Sequence, residues 1–182
     1  MTHPSRSDLD AGLDHVRASP SESGTLELIV RRPAEDARET LEEGRLDLDT
    51  GLVGDNWATR GSRRTEDGSS HPDMQLNVMN ARAAELIAGS KERWGLAGDQ
   101  LYIDFNLSED NVPPGTQLAI GDAIIEVTDQ PHTGCKKFVE RFGMPAMEWI
   151  SNPVGKALHL RGVNARVVQP GAIRSGDSVR RL

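Results

Sequence analysis

The chain has 182 residues, enough for one domain that buries a real core. Its 21 basic and 28 acidic residues leave a net charge of −7, which argues against a nucleic-acid partner held through phosphate contacts. No apolar run approaches the ~20 residues needed to cross a bilayer, and Met1 to Arg6 have no apolar core behind them, so neither a membrane partner nor a signal peptide is expected. A single cysteine with no export signal fits a reducing compartment, which predicts a cytoplasmic protein.

Only 4% of residues are aromatic, so the core must rest on Leu, Ile, Val, Ala and Met. In chain order, Ser7-x-x-Asp10 with Leu9, Leu13 and Val16 predicts a surface helix at about 7–18, ended by Ala18-Ser19-Pro20. Thr25 to Val30 reads as a strand that Pro33 closes. Over 36–50, Arg38 to Glu43 carries helix formers while Arg45 to Asp49 alternates, and the second half reads as strand. Residues 58–73 have no periodicity, and an irregular loop of that length in a compact domain is functional or disordered. A short strand from Met74 to Met79 follows, then a helix from Asn80 to Ala88 that Gly89 stops. Gln100 to Phe105, Gln117 to Ile120 and Ala123 to Thr128 read as strands, the last two joined by a Gly121-Asp122 turn. Cys135 to Phe142 and Ala146 to Ile150 read as short helices broken by Gly143 and Pro145. Val163 to Val168 and Ser178 to Arg181 complete the strands, with Gly171 and Gly176-Asp177 as turn residues. Eighteen glycines, ten prolines and many short strands predict a mainly β, α+β domain built round a closed or nearly closed barrel. Nothing splits the chain, so residues 1–182 form a single domain.

Cys135 carries the clearest chemical signal. A lone thiol closes no internal disulfide, which leaves metal ligation, nucleophilic attack or sulfur carriage. Gly134 precedes it and helix formers follow, so the thiol starts a helix, where unpaired N–H groups favour a thiolate. Against this stands burial as a small hydrophobe, common for free cysteine. His132, three residues earlier, is a possible base for Cys135, although a histidine after a proline in a loop has a surface role as its simpler account. His159, between Leu158 and Leu160, should be half-buried. Five scattered histidines and one cysteine show no structural zinc spacing, and no phosphate-cradling glycine pattern occurs. Arg161 and Arg166 either brace a barrel through carboxylates or capture an anion. Arg60, Arg63 and Arg64 are solvated charge or an anion lid.

Beyond these local patterns, residues from about Gly51 to Leu182 resemble the MOSC family, named for the C-terminal domain of molybdenum-cofactor sulfurases. The likeness rests on Gly54-Asp55, Gly98-Asp99-Gln100-Leu101, Pro114-Gly115-x-x-Leu118-x-Ile120-Gly121 and the strand ending before Cys135. Arg161-Gly162-Val163-x-Ala165-Arg166-Val167 and Gly171-x-Ile173-x-x-Gly176-Asp177 complete it. The resemblance implies a MOSC-type β-barrel whose cysteine works in molybdenum or sulfur chemistry. By that resemblance Cys135 ligates molybdenum held in molybdopterin, the molybdenum cofactor, or carries sulfur. Many relatives have a His-Gly-Gly type motif after the Gly-Asp pair; here the loop reads His71-Pro72-Asp73-Met74-Gln75 and is of another type.

The expected function is reduction of N-hydroxylated small molecules, or sulfur transfer, with a separate electron-donor reductase or sulfur donor as partner. The expected site joins Cys135 as metal ligand, His132 as base, and Arg161, Arg166, Arg60, Arg63 and Arg64 as cofactor-binding groups, with Arg161 favoured to reach the ligand and Arg166 to brace the barrel. Two alternatives stand beside it: a metal-free persulfide carrier or cysteine nucleophile, and a non-catalytic module that binds an anionic small molecule.

Overall fold

Among residues 3–182, which the computed structural model describes, seven strands close into a barrel. Round the ring run β1 (Ser23–Arg31), β6 (Leu101–Asp104), β5 (Leu76–Asn80), β9 (Val163–Gln169), β8 (Ala123–Val127), β7 (Gln117–Ile120) and β11 (Ser178–Arg181), which pairs again with β1. The β5–β6 pair is parallel and the other ring pairs are antiparallel. A short β2 (Glu39–Leu41) extends the far end of β1, and β3 (Glu43–Asp47), β4 (Gly51–Leu52) and β10 (Gly171–Arg174) form a small sheet beside the barrel. Gly171, expected in a turn, instead begins a strand, and its missing side chain is what admits the backbone of Asp122 and Ala123.

Alternation along the strands makes two cores. Leu26, Ile29, Leu76, Val78, Leu101 and Ile103 are among the side chains that fill the barrel. Leu28, Val30, Met79 and Tyr102 face outward from the same strands into a second apolar layer under the helices. Leu26 and Ile29 share the inner face although three residues apart, because the β1–β6 register shifts between Leu26 and Leu28.

The outer layer is covered by α1 (Arg6–Ala11), α2 (Leu13–Arg17), α4 (Ala81–Ala88) and α5 (Lys136–Ser151); α3 (Trp57–Arg60) and α6 (Pro153–Ala157) are single turns. The predicted first helix is two short ones meeting at Gly12, where a Cβ would strike Leu86. Asn80 caps α4 by accepting from the Ala83 N–H at 2.9 Å, and Gly89 ends it in the left-handed region at φ 78°. Phe138, Phe142, Ala146, Trp149 and Ile150 bury one face of α5. Gly143 (φ 85°, ψ 168°) leaves the helical region, so α5 is two helical runs meeting at a kink, with the break at Gly143 that the sequence predicts.

The irregular stretch before β5 is tied to itself. The Gly61 N–H donates to Ser70 Oγ at 3.2 Å, and the Ser70 hydroxyl donates to the Trp57 carbonyl. Thr65 Oγ1 donates to the Ser62 carbonyl at 3.1 Å. Short polar side chains thus replace a regular ladder in satisfying this backbone.

Candidate functional site

Cys135 is the N-cap of α5, with extended backbone (φ −129°, ψ 175°), an exposed thiol and no capping bond from its side chain. It lines a cleft of about 460 Å³ with Arg32, Arg38, Arg60, Lys137, Arg141 and Arg161. Six cationic side chains therefore gather in one place on a chain of net charge −7.

Their partners differ, and the differences define what each can do. Arg32 is spent on structure: Nε and a terminal nitrogen clasp the Asp55 carboxylate at 2.9 and 2.8 Å, and the other terminal nitrogen donates to the Gly98 carbonyl at 2.8 Å. Lys137 and Arg141 both reach Asp36, each at 2.9 Å. Among the described residues, Arg38 donates only to the carbonyls of Gly95 and Ala37. Arg60 makes no side-chain hydrogen bond or ion pair among the described residues, and neither it nor Arg38 touches a carboxylate. Burial, helped by the charges of Arg141 and Arg32, pulls the Arg38 guanidinium below its ordinary value. An anion entering the cleft relieves that crowding.

Beneath the cleft lies a buried polar network. The Asp99 carboxylate is sealed from solvent and accepts from Arg161 at 2.6 Å and from His132 Nε2 at 2.8 Å. Burial pushes that carboxyl up, but the charges of Arg161 and His132 outweigh it and hold it at about 2. His132 is lowered, first by burial and then by the Arg161 charge, against the pull of Asp99, so the ring is neutral near pH 7. Arg161 also donates to the Ala97 carbonyl at 2.8 Å and lies over the Phe138 ring at 5.2 Å, while its Nε is buried without a partner. Gln100 accepts from the Asn77 N–H at 2.8 Å, and the Asn77 side chain donates to Asn164 at 2.6 Å. The pairs Gly54-Asp55 and Gly98-Asp99-Gln100 that stand out in the sequence are thus the carboxylates and amide of this network.

The expected site residues divide cleanly. The fold brings Cys135, His132, Arg161 and Arg60 to one cleft, with Met74 and Asn77 beside them. Arg63 and Arg64 are exposed and do not line it. Arg166 does not line it either: it braces the barrel wall through Glu126 at 2.8 Å and Asp73 at 3.2 Å. His132, expected at the surface, is mostly enclosed because Asp99 draws the ring inward. The half-buried placement of His159 holds. Arg38 was not singled out by sequence because it falls in the ambiguous 36–50 stretch.

Among the described residues, no cluster of three or more His, Cys, Asp or Glu side chains could hold a metal ion. No described helix is long and apolar enough to cross a membrane. A second cavity, of about 390 Å³, backs onto the first, sharing His132, Thr133 and Arg161 as a wall.

Comparison with known proteins follows the same geometry. The family model of the MOSC domain matches residues 69–180. The fold is similar to the YUAD protein from Bacillus subtilis, with a TM-score of 0.63 at 14% identity, covering 87% of this chain and 95% of that one. It is also similar to YiiM from Escherichia coli, with a TM-score of 0.56 at 22% identity, covering 87% of this chain and 69% of that one. No curated protein matches at a significant level.

Proposed function

Since this chain belongs to the MOSC family, we propose that the cleft beside Cys135 holds a molybdopterin-type cofactor and that the protein reduces N-hydroxylated small molecules or delivers sulfur. One observation carries the proposal: an exposed, unbonded thiol shares a cleft with two guanidiniums that have no carboxylate partner. The donor set fits. A single thiolate cannot hold a metal by itself, so the metal must arrive with its own ligands, and a phosphate-bearing organic ligand needs cations that the protein has not already neutralised. When bound, the cofactor supplies a metal centre for oxygen-atom or sulfur exchange.

This chain's own groups do the rest. Cys135 offers sulfur from the start of α5, where its thiol is exposed to the cleft and makes no capping bond. Arg38 and Arg60 take the phosphate, while Arg161, bonded to Asp99 and the Ala97 carbonyl, adds its charge at the wall. Asp99 fixes the proton of His132 on Nε2, because an ionised carboxylate can only accept. The other ring nitrogen, Nδ1, is then free to take a proton and return it. Arg161 keeps Asp99 ionised throughout. No haem or flavin motif occurs in the sequence, so reduction calls for a separate electron donor.

The test is elemental and pterin analysis of protein made in a host that synthesises the molybdenum cofactor. Molybdenum and pterin are expected near equimolar amounts and are lost with Cys135→Ser. Folded protein without either would overturn the proposal. Fast alkylation of Cys135 in such a preparation would favour the free thiol of a sulfur carrier over a ligated one.

A further inference from the structure

The second cavity is not the cleft of Cys135, and Cys135 does not line it. Its walls are largely apolar, with Pro114, Val127, Ile150 and Val163 among them. One of its polar groups, His159, sits on left-handed backbone at the end of α6. α6 ends in a left-handed turn in which Leu160 N–H donates to the Gly155 carbonyl at 2.9 Å and His159 N–H to the Lys156 carbonyl at 3.1 Å. The residue one past the cap of such a turn is usually glycine, yet here it is His159 at φ 47°. Histidine is one of the few side-chain-bearing types enriched in that region, so the turn can hold its ring at the cavity wall.

The imidazole is also oriented. His159 Nδ1 lies 2.7 Å from the Leu107 carbonyl, which only accepts, so in the neutral imidazole Nδ1 carries the proton and Nε2 the lone pair. His132, which lines the same cavity, is oriented the other way round, with Nε2 committed to Asp99 and Nδ1 left as acceptor. Glu109, Asp129 and Lys156 also line the space, and none is ion-paired among the described residues. Two acceptor nitrogens and a net negative set of unpaired groups suit a ligand that donates hydrogen bonds.

We propose that this cavity is a second binding site, for a small molecule with an apolar body and a hydrogen-bond-donating head, an amine or an alcohol, accepted by His159 and His132. This goes beyond the cofactor reading; His132 serves in both, but His159 lines only this cavity, and the experiment below involves neither Cys135 nor a metal.

The experiment is a titration of isotope-labelled protein with benzylamine, benzyl alcohol and benzoate, read from backbone amide resonances. Benzylamine or benzyl alcohol is expected to shift the amides of Gly155, Gly162 and Val163, and benzoate to bind more weakly than both. The charged amine prevailing assigns a role to the carboxylates; the alcohol prevailing assigns the site to the histidines alone. His159→Asn removes the Nε2 acceptor while keeping a residue tolerant of the left-handed turn, and it should weaken donor binding at least tenfold without lowering the melting temperature. Absence of shifts with both donors, tighter binding of benzoate, shifts confined to the Cys135 cleft, or unchanged binding by the asparagine variant would each overturn the proposal.

Discussion

Asp99 and Arg161 meet at 2.6 Å in a pair that excludes water almost completely, though they lie far apart in the chain. Removing one member of such a pair leaves the other charged, buried and unpartnered. Asp99→Asn should therefore destabilise the fold by about 3 kcal/mol, as read by urea denaturation. A loss under about 1 kcal/mol, the scale of an exposed ion pair, would show that the pair is not the anchor described.

Acid should weaken the protein in two stages. The folded His132 binds its proton less readily than the ordinary imidazole at 6.5, so below that pH the unfolded chain takes up the proton first and stability falls. Asp99 follows the same sign lower down: its contribution is present above 3.8 and is lost as pH falls through about 2. Melting temperature followed from pH 8 to pH 5 should decline, and His132→Asn should flatten that slope. An unchanged slope in the variant would assign the first stage to another group.

Cys135→Ser should leave stability within about 0.5 kcal/mol of the unaltered protein, because the thiol is exposed and makes no capping bond. Retained stability with lost molybdenum separates ligation from folding. A thermal shift of many degrees would mean that the thiol has a packing role.

Arg38→Ala and Arg60→Ala should each weaken binding of inorganic pyrophosphate by about tenfold or more, the scale of a lost charge-assisted hydrogen bond. Arg63→Ala and Arg64→Ala should not. Calorimetric titration at low salt makes the comparison, and equal losses at all four positions would indicate diffuse attraction rather than a site.

Gly162 stands at φ 103° with the Val78 backbone against the place a Cβ would occupy. Gly162→Ala should cost about 2–4 kcal/mol, combining backbone strain with displacement of β5. Because Gly162 follows Arg161, the substitution should also disturb the cleft; chemical denaturation beside pyrophosphate titration tests both.

The barrel was legible because its signals are local. Strands such as Ala123–Val127 alternate with period two, and Gly121-Asp122 marks a hairpin turn. The helix start at Cys135 could be read from Gly134 and the helix formers behind it. The network was not legible, because Asp55 with Arg32 and Asp99 with Arg161 are joined only by the closing of the ring. Local pattern favoured Arg161 as the residue that reaches a ligand, and the structure shows it lining both cavities while bonded to Asp99. Arg38 carried no signal at all, since the unpaired state of a cation depends on which acids the fold leaves out of reach.

The seam of the barrel sets the order in which the protein can be finished. Ser23 at the start of β1 pairs with Arg180, so the ring closes between its first and its last strand in chain order. Until β11 arrives, β1 and β7 present open edges, and the apolar lining between them faces water. Closure across so long a loop is slow compared with formation of the β7–β8 hairpin. Any interval in which β11 is not yet docked is thus the aggregation-prone one, and it ends when the strand around Val179 closes the seam.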